Sequence, residues 1–220
     1  MKLNNFKTKK MFEYENGFYA TSTESRFSKL LAHYELYKRI INLPGDVIEC
    51  GIFKGNSFFR FAHFRDLLEA RTSRRLIGFD IFGVFPETNF NDDKKYLDNF
   101  LKSAGSQSIE IEEMQKIMKY KNIENYQLIK GDINITVPKY CKENPHQKIA
   151  LLHIDTDVYE PATTILDTMY EKVVKGGVII FDDYGTFPGE TKAVDDFFKD
   201  KKESIQKLPL GLTPSFIIKE

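Results

Sequence analysis

Two apolar runs that end in grouped acids constrain this chain more than any other feature: Leu151-Leu-His153-Ile-Asp155-Thr-Asp157-Val-Tyr159 and Val178-Ile-Ile-Phe-Asp182-Asp183-Tyr184. Short apolar runs bounded by Gly or polar residues read as buried strands of a parallel sheet, and such sheets bind ligands at the strands' carboxyl ends. Carboxylates about 4 Å apart repel by roughly 4 kcal/mol per pair at an effective dielectric near 20, so they must be protonated, spread apart or neutralised by a cation. A hard divalent cation such as Mg2+ suits carboxylate oxygen, and no soft or imidazole cluster competes for it. The same acids also read as turn and cap residues, with Asp157 in a solvated loop.

The 220 residues are 41% hydrophobic and 29% charged, which fits one domain over 1–220. Thirty-two basic residues balance thirty-two acidic ones, so no net field attracts nucleic acid or an anionic membrane, and neither is expected as a partner. Cys50 and Cys141 lack metal or redox spacing and read as reduced thiols. The polar start has no signal-peptide pattern and no apolar run approaches the roughly eighteen residues that span a bilayer, so a cytoplasmic protein is expected.

The pattern predicts a helix from the capping residues Thr21–Arg26 through Ile41, within an N-terminal helical cap over 1–43. A strand over Asp46–Ile52, a glycine turn and a helix over Ser57–Ala70 follow, then a strand over Arg75–Asp80. More than forty residues precede the next strand, Tyr126–Lys130, which predicts an inserted lid or acceptor-recognition segment over 83–124 with helical stretches at Leu97–Leu101 and Ile109–Met118. Beyond it the chain reads as helix Val137–Lys142, strand Ile149–Asp155, helix Pro161–Val174 stopped by Gly176-Gly177, strand Val178–Phe181, helix Thr191–Lys201, and short strands Ser204–Leu208 and Ser215–Ile218. Strands alternating with helices imply an α/β, doubly wound, Rossmann-like sheet, mostly parallel with one antiparallel strand near the C-terminus.

Between the first strand and its helix, Glu49-Cys-Gly51-Ile-Phe-Lys-Gly55-Asn56-Ser57 sets two glycines where a ligand can approach backbone N–H groups at a helix N-terminus. The spacing matches neither the dinucleotide fingerprint nor a P-loop, so a nucleoside without a phosphate chain is the better fit. Asp80 ends the second strand, where an acid accepts from ribose hydroxyls, and Glu49 near a cationic ligand would offset its charge, as a sulfonium requires. Capped turns account for the same two acids.

The set Pro44-Gly45-Asp46-Val-Ile-Glu49-Cys50-Gly51 with Gly55, Asp80 with Phe82-Gly83 and Pro86, His153 to Tyr159, Gly176-Gly177 through Gly185, and Ala193-Val-Asp195-Asp-Phe197 resembles the S-adenosylmethionine-dependent, Mg2+-dependent O-methyltransferases of the macrocin (TylF-like) type, which act on sugar hydroxyls in antibiotic biosynthesis. The likeness runs from Thr23 to the terminal strands; the segment after Asp80 departs from it and the N-terminal segment is abbreviated. It implies a class I methyltransferase sheet with S-adenosylmethionine over the first two strands, in contact with Glu49, Gly51, Gly55, Asn56, Ser57, Asp80, Asp132, Ile133 and Asp155. It further implies Mg2+ on Asp155, Asp182 and Asp183, Asp132 facing the adenine, a hydroxylated small-molecule acceptor, a sugar in this family, and a homodimer paired through the N-terminal helix.

The implied chemistry is an in-line displacement by an acceptor hydroxyl on the sulfonium methyl, in which the protein aligns the atoms and removes a proton. Asp157, Asp183 and His153 are the candidate bases, with Asp157 preferred because it lies beyond the strand's end; His153 reads more readily as a satisfied core imidazole than as a base. Glu24 and Arg26 can fold over the site or serve as cap and solvated residue, and Lys192 is similarly open. His33, His63 and His146 have no partner at ligand spacing and read as surface or packing residues. Two other readings remain: a catalytically silent nucleoside-binding module, and a nicotinamide-dependent oxidoreductase, which the missing glycine fingerprint disfavours.

Overall fold

The computed structural model describes residues 1–220. Its centre is a seven-stranded sheet. In chain order the strands are β1 (Asp46–Cys50), β2 (Leu76–Asp80), β3 (Tyr126–Lys130), β4 (Ile149–Ile154), β5 (Val173–Phe181), β6 (Gln206–Lys207) and β7 (Ser215–Ile218). They lie in the order β3-β2-β1-β4-β5-β7-β6. Strands β1 to β5 are parallel, and β7 enters antiparallel to both β5 and β6. The order reverses between β1 and β4, so the carboxyl ends of β2, β1, β4 and β5 surround the switch point where doubly wound sheets take ligands.

Eight helices accompany the sheet: α1 (Met11–Thr21), α2 (Glu24–Lys38), α3 (Asn56–Leu68), α4 (Asn91–Ala104), α5 (Ile111–Tyr120), α6 (Ile133–Glu143), α7 (Tyr159–Met169) and α8 (Pro188–Phe198). Each sheet face carries an apolar core of its own. On one, Leu36, Tyr37 and Ile40 of the α2 region and Phe58, Phe61 and Ala62 of α3 pack on Val47, Leu76, Leu151 and Ile180. On the other, Val137, Ile165, Leu166 and Val194 of α6 to α8 pack on Ile48, Ile77, Leu152 and Ile179. Burial of both faces explains why β1, β2 and β4 read as unbroken apolar runs. No helix is long and apolar enough to cross a membrane.

Several boundaries differ from the sequence reading. Gly176-Gly177 does not stop a helix: α7 gives way at Met169 to a 3-10 turn, and the glycine pair lies inside β5. The register with β4 shifts there, and Gly176, at φ +81°, donates its N–H to the Lys219 carbonyl at 2.8 Å, so the pair forms a bulge. Helix α8 starts at Pro188 rather than Thr191, because proline suits the first helical turn. Helix α6 starts at Ile133, four residues early, with the Asp132 carboxylate capping Asn134 N–H at 2.8 Å. The predicted N-terminal helix is α2, which starts at Glu24 inside the capping run and ends at Lys38, and ahead of it the chain adds α1 and a hairpin of Lys2–Leu3 with Phe6–Lys7.

The segment between β2 and β3 folds as α4 and α5, pinned to the frame by a buried acid. Asp93 of α4 accepts from the N–H of Gly189 at 2.7 Å and of Tyr159 at 3.0 Å, at the N-terminal ends of α8 and α7. Gly189 is required there, since a Cβ would lie 2.0 Å from the Asp93 carboxylate.

Candidate active site

A cavity of about 450 Å3 opens over the carboxyl ends of β1, β2, β4 and β5. Its floor begins at the glycine loop. Gly51 sits at φ +91° and a Cβ on it would lie 1.8 Å from the Asp155 carbonyl oxygen, so only glycine lets β1 and β4 end side by side. Gly55, at φ +87°, turns the chain into α3, whose first residues Asn56 and Ser57 line the cavity.

Asp80 organises this loop. Its Oδ2 accepts from the N–H groups of Ile52 (2.8 Å) and Phe53 (2.9 Å), and its Oδ1 from Phe82 N–H and the Ser108 hydroxyl, both at 2.6 Å. One carboxylate thus ties β2 to the glycine loop and to the inserted segment while still lining the cavity. Asp132 and Ile133 line the cavity at the start of α6. Glu49 lies behind the loop, fully buried, where it accepts from the Ser57 hydroxyl and stands 3.6 Å from His153 Nδ1. Burial pushes its carboxyl up from the usual range, and His153 pulls in the opposite direction.

The aspartates converge as the strand ends require. Asp155, Asp182 and Asp183 each present an oxygen within 4.8 Å of the others. Asp182, almost fully buried, is ion-paired to Lys29 of α2 and lies 3.3 Å from His153 Nε2 and 3.5 Å from His33 Nε2. Burial acts to raise its carboxyl, but the Lys29 ammonium and the two imidazoles outweigh it and hold the group well below the usual range. Asp155 is pushed far up, by burial and by Asp182. Asp157 stands at φ +63° in the turn after β4, 7% exposed, and is pushed up by burial and by Asp183. Fixing one acid ionised makes its neighbours hold protons, and a divalent cation would release them. The three oxygen donors fit Mg2+ in kind and number.

His153 bridges the two halves of the site, Glu49 under the glycine loop and Asp182 in the acid cluster. Burial lowers its affinity for a proton, yet the hydrogen bonds and charges of Asp182 and Glu49 raise its pKa to about 10. The reading of His33 as a surface or packing residue without a partner is corrected: it is fully buried against Asp182 and His153, and burial lowers its pKa to about 4. His63 is exposed beside Lys121, and Lys192 pairs with Asp196 at 2.8 Å, away from the cavity lining. Glu24 is exposed, whereas Arg26 lines the cavity.

Lys29, Arg60 and Glu190 were not expected at the site. Glu190 is fully buried and accepts from the Asp183 N–H at 2.9 Å, fixing the second aspartate of the pair. Lys29 carried one legible signal, since it precedes His33 by one helical turn and so shares its face.

The model of the family described as Macrocin-O-methyltransferase (TylF) matches residues 23–209. The chain belongs to this TylF family. Among curated proteins, the demethyldecarbamoylnovobiocin O-methyltransferase of Streptomyces niveus is 28% identical over 165 residues, 71% of this chain and 59% of the relative. The 8-demethyl-8-(2,3-dimethoxy-alpha-L-rhamnosyl)-tetracenomycin-C 4'-O-methyltransferase of Streptomyces olivaceus is 27% identical over 151 residues, 64% of this chain and 54% of that one. The TylF-family chain thus spans between half and two thirds of the length of the curated relatives it matches. Among solved structures, the calicheamicin methyltransferase CalS11 superposes with a TM-score of 0.77 at 24% identity over 97% of this chain and 86% of that chain, which shows the shared fold. The apo structure of CalS11, a TDP-rhamnose 3'-O-methyltransferase in calicheamicin biosynthesis, gives a TM-score of 0.68 at 25% identity with the same coverage.

Proposed function

We propose that this chain is an S-adenosylmethionine-dependent O-methyltransferase that methylates a hydroxyl of a sugar or sugar-containing small molecule, with Mg2+ at Asp155, Asp182 and Asp183. The observation that carries the reading is the convergence of those three acids beside a glycine loop that tolerates no side chain at Gly51. Family membership and the O-methyltransferase names of the curated relatives support it.

Gly51 after β1, Asn56 and Ser57 at the head of α3, Asp80 at the end of β2, and Asp132 and Ile133 after β3 would hold the cofactor, with Gly55 turning the loop into α3 behind them. Glu49 acts from behind the loop, as a buried acid whose field favours a cationic sulfonium in front of it. A divalent cation would supply the positive charge that orients the acceptor hydroxyl and favours its ionised form. Asp157 takes the proton from that hydroxyl: it lines the cavity beyond the end of β4, and burial and the neighbouring Asp183 raise its affinity for a proton. Asp183 orients beside it, held by Glu190 through its own N–H and by the Thr186 hydroxyl at 3.3 Å. The walls at Phe53, Phe85, Phe100 and Phe187 offer apolar surface to the acceptor and exclude water from the methyl path.

A calorimetric titration with S-adenosylhomocysteine, in Mg2+ and again in chelator, tests this reading. Micromolar binding is expected; absence of binding in both conditions would overturn it.

A further inference from the structure

The cavity has a basic wall as well as an acidic floor, and two of the four Lys and Arg side chains that line it, Arg26 and Arg60, have no direct partner in the fold. Arg26 of α2 and Arg60 of α3 both line it, together with Lys29. Lys29 is spent on Asp182, but neither arginine makes a side-chain hydrogen bond or ion pair with any residue.

The contrast with the other enclosed guanidinium groups is sharp. Arg65, four residues beyond the Phe61 face of the same helix and fully buried, donates to the carbonyls of Glu124 (2.8 Å), Asn125 (3.0 Å) and Arg74 (3.3 Å) and pairs with Asp66. Arg74 pairs with Glu69 at 2.8 Å and donates to Gly45, Ile40 and Leu43 carbonyls. This fold saturates a guanidinium when it encloses one, as the cost of an unpaired buried charge demands. Arg60 is the exception: it is half-buried without a direct partner, burial lowers its pKa, the charges of Asp182 and Glu49 act to raise it, and exposed Arg26 adds like-charge repulsion. Two guanidinium groups that line one cavity and make no direct hydrogen bond or ion pair keep their donors free for an anionic group of a ligand.

A guanidinium presents its donors in a planar fork that matches two oxygens of one carboxylate or phosphoryl group. We infer that Arg26 and Arg60 form an anion subsite of the cavity, which binds a carboxylate or phosphoryl group carried by a ligand of the methyl-transfer site. The inference deepens the proposed function and rests on it for the identity of that ligand. Two sources share the chemistry: the aminoacyl carboxylate of the cofactor, and a phosphorylated, nucleotide-activated sugar as acceptor.

The test is calorimetry on the full chain, comparing wild type with Arg60→Gln, Arg26→Gln and the double variant. Three probes are titrated: S-adenosylhomocysteine, its analogue lacking the carboxylate, and pyrophosphate. A loss of about tenfold or more for S-adenosylhomocysteine but not for the decarboxylated analogue supports the subsite and assigns it to the cofactor. An equal loss confined to pyrophosphate supports it and assigns it to the acceptor. Arg60→Lys should recover part of the loss, and unchanged melting temperatures separate the effect from misfolding. All probes binding the double variant within about twofold of wild type would overturn the subsite and leave the methyltransferase reading standing. A wild-type chain that binds none of the three would overturn both.

Discussion

The ammonium of Lys29, on the second N-terminal helix, is ion-paired to Asp182 at the end of β5, 153 residues away in sequence. Its charge also acts on Asp155 and Asp183. A tethered cation therefore stands against the oxygens that the proposed metal would use.

Replacing Lys29 with Met should leave Asp182 buried without its strongest partner, and in chelator the melting temperature should fall by about 5–10 °C. Mg2+ should then stabilise the variant more than the wild type, because metal and ammonium compete for one carboxylate. Thermal melts with and without Mg2+ check both; an equal Mg2+ effect in the two proteins would sink the competition.

Asp182→Asn removes one proposed metal ligand without changing shape. Turnover should drop about 100-fold or more, while S-adenosylhomocysteine should still bind, as the cradle proposed for it lies at the ends of β1 to β3. Activity assays and calorimetry on one preparation separate the effects, and full activity would refute the metal assignment.

Asp157→Asn should reduce kcat by about two to four orders of magnitude with little change in cofactor affinity. It should also remove the acid-side limb of the kcat–pH profile. A variant that keeps both its rate and that limb would point to another base.

His153 carries a pH signature in the metal-free protein. Its folded pKa, about 10, stands above the unfolded value near 6.5, so the folded state binds its proton more tightly. The stability this contributes is fully present below about pH 6.5 and is lost as pH rises through about 10. His153→Gln should therefore flatten the alkaline fall of the melting temperature between those limits. Urea denaturation across the same range would reveal an unaltered slope if the imidazole were neutral.

Gly51→Ala places a methyl against the backbone of Asp155 at a positive φ. Folding stability should fall by about 2 kcal/mol or more, and S-adenosylhomocysteine binding with it. Circular dichroism melts read the first and calorimetry the second; an alanine variant indistinguishable from wild type would contradict the packing at the switch point.

What was legible in the sequence was whatever depended on short stretches. The apolar runs of β1, β2, β4 and β5 announce burial on both faces, and the acids at Asp80, Asp155 and Asp182 follow from where those runs stop. The glycine pair at 176–177 misled because a bulge and a helix stop use the same residue for the same positive φ. Arg60 and Glu190 were silent because each sits on a helix whose chemistry looks ordinary until the fold turns it toward the cavity, and Lys29 offered only its one-turn spacing from His33. His33 was misread for a related reason: its partner, Asp182, is 149 positions away, beyond any spacing rule.

The pinning of Asp93 bears on how an acceptor reaches the site. Swinging α4 outward would strip a buried carboxylate of both its donors and uncap the first turns of α7 and α8 together. The excursion between β2 and β3 is thus a wall rather than a door. The side chains that this wall displays to the cavity, Phe100 among them, can therefore vary while the backbone that carries them stays in place.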